Sequence, residues 1–302
     1  MKGPRAKFGR WLRQSQRLPG KARLLLALSG GQDSLSLAQL LRWHQPRWQW
    51  AIVWAHCNHR WRPDADACAD HLARLATQWG YPFMLEAADR PPGNEAAARK
   101  WRYDTLLAMA QAQDCSHILT AHTRSDRVET FLLQLLRGAS PGGLRAIVPQ
   151  RPLGDRWLIR PLLDFSRQET AALCRQHRLP VWVDPTNQHL AHRRNRLRHR
   201  VIPYLRQHFN PQLETRIGQT ADLWHDDNTY LNALAAKLWQ PGQPLHCADL
   251  QTQPQPLQRR VLRNFLQTHT GRSPTCQHIL GRSPSSTPRP VPAANTSPAV
   301  PG

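Results

Sequence analysis

The sequence predicts an α/β fold: a doubly wound parallel sheet, then a small helical domain and a disordered tail. Three observations predict it. Short apolar runs alternate with helix-like patterns over the first 190 residues, and one such run, Leu24–Leu28, breaks directly into a glycine turn. The final stretch is Ser, Pro, Thr, Ala and Gly with almost no apolar anchor, too little to offset the entropy of ordering it.

The elements follow in order. Residues 1–20 form a basic extension with no acid before Asp33. An organellar transit peptide shares that composition, but there is no apolar signal core, and Trp11-Leu12 with Leu18 suit a short helix docking on the domain. Residues 21–190 are the first domain. Its strands are expected at Arg23–Leu28, Trp50–His56, Pro82–Glu86 and His117–Ala121, and its helices at Ser34–Trp43, Asp66–Trp79, Asn94–Ala112 and Asp126–Leu136. Gly138–Gly143 opens a less regular stretch that includes Trp157–Leu163 and a helix over Ser166–His177. Residues 191–275 are expected to form the helical domain. Leu197, Val201 and Leu205 recur at i, i+4 as an inward face, with Pro203 bending the helix. Further helices cover Pro211–Trp239 and Gln255–Thr268, and the last helical unit looks cut short after Ile279. Residues 276–302 read as the disordered tail.

The formal net charge of +21 on 302 residues marks a partner that is a polyanion. Of 41 basic residues all but five are Arg, whose planar fork grips phosphate and stacks on bases. A GC-rich genome would give the same bias. A membrane is the rival partner, yet no apolar stretch approaches the length of a spanning helix. The six cysteines, at 57, 68, 115, 174, 247 and 276, include no Cys-x-x-Cys pair, which suits reduced thiols and a cytoplasmic location. His56-Cys57-Asn58-His59 lacks a fourth ligand at zinc spacing, so no metal is assigned there.

The turn Ser29-Gly30-Gly31-Gln32-Asp33-Ser34 joins a buried strand to a helix. Glycines let the backbone approach an anion, and the N–H groups of the turn and of the new helix point at it. It is neither a Walker loop nor Gly-x-Gly-x-x-Gly. Ser and Asp at this place also serve as plain helix caps. Asp126 and Glu129 share a helix face at i, i+3, a spacing that serves a cation-binding acid pair and a capping box equally. Arg193, Arg194, Arg196, Arg198 and Arg200 crowd eight residues, which reads as a solvated basic surface or a phosphate-contacting one.

The turn resembles the pyrophosphate (PP) loop of the N-type ATP pyrophosphatases, which split ATP to AMP and pyrophosphate. After it come Ala96–Tyr103, Ile118–His122, Asp126, Glu129-Thr130 and Leu135–Gly138. Arg160–Leu163, Asp184 with Asn187, and Arg194–Arg198 follow. In this order the set resembles the tRNA(Ile)-lysidine synthetases over about residues 22–210. That resemblance implies a ligase acting on tRNA(Ile) with a CAU anticodon. It would adenylate the C2 oxygen of the wobble cytidine with ATP, then join free L-lysine to C2 and release AMP.

It also implies roles. Ser29, Gly30, Gly31, Gln32, Asp33 and Ser34 would hold ATP, with Asp33 placing Mg²⁺, which takes oxygen ligands. Asp126 and Glu129 would bind lysine and take the proton of its amine. His122 would be catalytic, and Arg102 more than Arg99 would meet the developing phosphate charge. Arg137, Arg194, Asn195, Arg196 and Arg198 would contact tRNA. A homodimer is allowed, and no membrane partner is expected. Many relatives read His-His-x-Asp-Asp where this chain has His122-Thr123-Arg124-Ser125-Asp126, which removes one His and one Asp. Related tRNA thiolases share the loop but commonly rely on Cys pairs. Amidating ligases of the GMP or NAD synthetase type have no reason for such charge. A catalytically inactive RNA-binding protein would not need an intact loop with Asp126 and Glu129.

Overall fold

The computed structural model describes residues 3–184 and 189–271, so Asn187 and the tail expected at 276–302 lie outside the described residues. The chain divides into two compact units, Met1–Arg137 with Leu144–Asp222, and Gly138–Gly143 with Leu223–Gly302. In the first unit, strands β1 (Arg23–Ala27), β2 (Ala51–Asn58), β3 (Phe83–Ala87), β4 (His117–Leu119), β5 (Gln150–Leu153) and β6 (Arg156–Ile159) form one sheet in the order β3-β2-β1-β4-β6-β5. All pairs are parallel except β5 with β6, a hairpin at the edge that the sequence pattern left irregular. Helices α2 (Gln32–Trp48), α3 (Ala65–Trp79), α4 (Glu95–Ala112) and α5 (Arg124–Leu136) supply the crossovers. Strand order reverses between β1 and β4, so the segments leaving both strands open a crevice at their carboxyl ends.

The core explains the sheet. Leu24 and Leu26 face one layer with Leu35, Leu37, Leu40 and Leu41 of α2, while Leu25 faces the other with Leu106 and Met109 of α4. The first half of helix α2 is buried on all sides, Ser34 through Leu41, and the helix runs through Pro46 to Trp48, five residues past its expected end. The amino-terminal residues do fold as a helix, α1 (Pro4–Ser15), whose Phe8 and Leu12 are buried in the same core. Burying each stabilises the unit by roughly 1.5–3 kcal/mol. Lys7 of α1 pairs with Glu169 at 2.5 Å. Glu169 lies in α7 (Arg167–Gln176), which is started by a Ser166–Glu169 capping box. A short helix α6 (Pro141–Leu144) precedes the hairpin.

The arginine-rich stretch is helical but not in one frame. After α8 (Arg193–Arg196), residues Leu197–Val201 make a π-helical turn that leads into α9 (Ile202–His208). Pro203 has no N–H to give to the carbonyl four residues back, and its ring crowds that carbonyl, so the turn takes in one more residue. The inward face expected at Leu197, Val201 and Leu205 is corrected accordingly. Ile202, 5 % exposed, takes the buried place beside Leu197, while Val201 is turned out at 40 %. Leu197 and Ile202 bury against Val128 of α5, so residues 191–222, assigned from sequence to the helical domain, fall in the first compact unit.

Helix α10 (Leu213–Leu238) is followed by α11 (Cys247–Gln251) and α12 (Gln255–Thr270). The second unit has its own small core of Ala235, Trp239, Leu250 and Val261. There the buried Arg260 donates to the Asn228 carbonyl and side-chain oxygens. Among the described residues no helix is long and apolar enough to cross a membrane.

Candidate active site

The turn after β1 is braced from within. Ser34 Oγ donates to the Gly31 carbonyl at 2.9 Å and lies 3.3 Å from the Ser29 amide, which donates to it. Gly30 has φ +79°, and a Cβ there would meet Cys68 Sγ at 3.0 Å and the Trp182 Cβ at 3.1 Å, so both backbone conformation and packing demand glycine. Trp182 closes over the turn, its amide bonded to the Gly30 carbonyl. Gly31 precedes the first turn of α2, whose free N–H groups face outward from the strand end.

Asp33 is held from α7. Thr170 donates to its Oδ1 at 2.5 Å, and Arg167 lies 3.4 Å from Oδ2. Burial raises its pKa; Arg167 and Thr170 oppose that rise, and Asp126 adds to it. Gln32 does not face the turn's open side, since its amide donates to the Arg167 carbonyl at 3.0 Å and to Thr170 at 3.2 Å. Neither Arg167 nor Thr170 was marked by any local pattern, since each meets Asp33 across more than 130 residues.

The acid pair on α5 is resolved into two different roles. The helix begins at Arg124, two residues before the expected start, with Thr123 as its cap. Asp126, not Glu129, completes the capping box: its Oδ2 accepts from the Thr123 amide at 2.8 Å. Glu129 sits a turn later with a side chain 0 % exposed, and Arg198 forks onto both its oxygens at 2.6 and 2.9 Å. Arg198 also reaches Asp126 at 3.4 Å, and Arg194 lies 3.2 Å from Glu129 while donating to Thr130. Burial raises the pKa of Glu129, and Arg198 opposes that rise.

His122 accepts or donates at Thr120 Oγ1, 3.0 Å away; burial first, then Arg160, lowers its pKa and keeps it neutral. Burial resists the ionisation of Asp126, yet its pKa is lowered. With His122 neutral, the Thr123 amide, Arg167 and Arg198 hold that charge. Thr123 and Ser125, the two departures from the common family pattern, are absorbed by the structure: one is the cap, and the other donates to Glu214 at 3.0 Å.

Arg102 donates from Nε and a terminal nitrogen to His59 Nε2, at 3.0 and 2.8 Å. Burial lowers the His59 pKa to about 4, with Arg102 adding to the shift, so the ring is the neutral acceptor. Its other nitrogen, Nδ1, is buried without a partner. His59 is thus a positioning group for Arg102 that the sequence offered only as a rejected metal ligand. Arg99 lies over the Tyr103 ring, 5.1 Å from its centroid, and the buried Arg160 donates to the Val148 carbonyl. Asp184 pairs with Arg62 at 2.9 Å.

Of the expected tRNA contacts, Arg137 and Arg196 are exposed, while Arg194 and Arg198 turn inward to the acids. Asn195 is buried and donates to the His189 carbonyl. The electrostatic contacts link the groups into one constellation. Asp33 feels Asp126 and Arg167, His122 feels Asp126, Arg99 and Arg102, and Arg198 feels Glu129, Asp126 and Asp33.

A strand-to-helix glycine turn with a buried Asp, at the switch point of a parallel sheet, defines a nucleotide-cleaving α/β protein of the PP-loop class. Residues 5–205 match the family described as "PP-loop domain", and residues 245–281 match "TilS substrate binding domain". The chain is 48 % identical to a tRNA(Ile)-lysidine synthase of Thermosynechococcus vestitus, over 86 % of this chain and 77 % of that protein. To one of Nostoc it is 45 % identical, over 91 % and 86 %. It is also 31 % identical to a chloroplastic one of Zygnema circumcarinatum, over 85 % and 73 %. The chain belongs to the tRNA(Ile)-lysidine synthase family. The U34-tRNA thiolase NcsA of Methanococcus maripaludis shares the fold alone, at 16 % identity and a TM-score of 0.61 over 73 % of this chain and 78 % of that one.

Proposed function

We propose that this protein joins lysine to C2 of the wobble cytidine in tRNA(Ile) with a CAU anticodon, cleaving ATP to AMP and pyrophosphate, in the cytoplasm. The observation that carries the reading is the match to tRNA(Ile)-lysidine synthases over most of the chain. The acid pair Asp126 and Glu129, already bound by the arginine cation Arg198 and in electrostatic reach of the glycine turn, is the group that suits a lysine cation.

The turn Ser29–Ser34 and the start of α2 receive the phosphates. Asp33 is the carboxylate suited to Mg²⁺: it is buried, its pKa is raised, and Asp126 repels it, a strain that a cation relieves. When bound, Mg²⁺ would neutralise phosphate charge. Arg102, oriented by His59, and Arg99 meet negative charge as the cytidine oxygen takes the adenylyl group and pyrophosphate leaves. The lysine amine then forms its bond to C2, the C2–O bond breaks, and AMP departs with that oxygen. The amine's proton passes to the acid pair, where burial raises the pKa of Glu129, while His122, kept neutral by burial, serves the site as a hydrogen-bonding ring. Arg198 releases Glu129 as lysine enters. Arg137 and Arg196 lie on the tRNA side. A homodimer is compatible with this chemistry.

Incubation with labelled lysine, ATP and a CAU-anticodon tRNA(Ile) transcript tests the reading. Label appears in the tRNA with one AMP per lysine. Absence of label, or modification that needs a sulfur donor, would overturn it.

A further inference from the structure

Beyond Arg198 the chain carries an arrangement that the reaction above does not use. Tyr204, His208 and Phe209 cluster at the end of α9, with ring centroids 4.6 Å apart for Tyr204–His208 and 6.1 Å for Tyr204–Phe209. Tyr204 is 57 % and Phe209 71 % exposed. Large rings on a surface cost hydration free energy unless a partner covers them. The charge around them says what partner. From Pro185 to Leu213 there is no Asp or Glu, while six arginines and four histidines occupy the same stretch. Arg200 and Tyr204 stand at i, i+4, and both are exposed, so cation and ring share one outward face.

The π-helical turn sets this face against the other one. Arg194 and Arg198 point to Glu129, and Ile202 takes the buried place, so Arg200 and Tyr204 are left facing solvent. Arginines interleaved with exposed rings, and free of acids, match an unpaired nucleic-acid strand: phosphates meet the guanidiniums and bases lie on the rings. A protein partner of ordinary composition would meet unmatched positive charge here.

We propose that Tyr204 and Phe209 form a stacking platform for the unpaired bases that flank the wobble cytidine, which holds the anticodon loop open while that base enters the site. The proposal rests on the tRNA reading given above. It assigns these rings a part in presenting the base, apart from the groups that perform the chemistry.

The test uses the full chain and an anticodon stem–loop carrying 2-aminopurine next to the wobble cytidine. In the wild type, binding changes the fluorophore's emission. In Tyr204→Ala/Phe209→Ala the affinity falls about 10- to 100-fold, in line with the loss of base stacking. The emission change is lost, and the salt dependence keeps its slope because the phosphate contacts remain. Tyr204→Phe, which keeps the ring, binds as the wild type does. If the double variant binds with wild-type affinity and emission while the wild type forms lysidine, the platform is refuted and the tRNA reading stands. If the wild type itself does not bind the stem–loop, both fall. A double variant that changes sedimentation but not RNA affinity would assign the rings to a second copy of this chain, and would also refute the proposal.

Discussion

In the turn after β1, Ser29, Gly31 and Ser34 satisfy one another within six residues, and Gly30 holds a conformation that its own type permits. On α5, Asp126 and Glu129 depend on Arg198, 72 and 69 residues away, and Glu129 has no exposure at all. The first is braced by its own residues, while the second is closed on a protein cation. In the proposed reaction lysine has to replace the Arg198 guanidinium on Glu129, so its entry carries a cost.

The largest effect is expected at the glycine turn. Asp33→Asn leaves the turn intact but removes its charge, and lysidine formation falls by about 10³-fold, as for loss of a key electrostatic group. Binding of tRNA, measured by filter retention, stays within about twofold. Loss of both together in a folded variant would show that the turn and the RNA surface are not separate.

Arg198→Ala probes the closed pair. It leaves the buried Glu129 with Arg194 as its remaining cation among the described contacts, and chemical denaturation shows a loss of about 3 kcal/mol. Calorimetry at pH 8 finds lysine bound several-fold more tightly, because no guanidinium competes. Weaker lysine binding would mean that Arg198 helps hold lysine instead of standing in for it.

A smaller effect is expected at His59→Ala, which removes the acceptor that orients Arg102. The adenylation step slows about 10- to 100-fold, the scale of a misplaced group, with the lysine KM unchanged. The variant also tests a titration. The ring's pKa is about 4 when folded and near 6.5 when unfolded, so the unfolded chain binds more protons between these values. Stability therefore falls as pH drops from about 6.5 towards 4, and His59→Ala flattens that part of the profile. An unchanged pH–stability curve would contradict the neutral, buried ring.

The same contrast explains what was legible in the sequence. The glycine turn and the strands that flank it are local, so spacing and residue type reveal them. The parallel sheet followed from alternation, but the β5–β6 hairpin escaped because Arg151, Pro152 and Arg156 spoil a strand's apolar pattern. Val201 was misplaced because the effect of Pro203 on the turn before it reads as a bend, not as an added residue. Asp126 and Glu129 were found as a pair, yet their separate duties depend on Thr123 at one end and Arg198 at the other. Thr170 on Asp33 and His59 on Arg102 are tertiary contacts, and no spacing announces them.

In the proposed reaction the acid pair on α5 is the lysine site and not part of the nucleotide machinery. Steady-state kinetics of Glu129→Gln, with adenylation and lysine transfer followed separately, test it most directly. The amide in that variant keeps an acceptor for Arg198 but lacks the charge. The lysine KM is expected to rise about 100-fold, the worth of a charge-assisted contact of roughly 3 kcal/mol, while tRNA-dependent pyrophosphate release from ATP stays within about threefold. An unchanged lysine KM together with lost pyrophosphate release would contradict it.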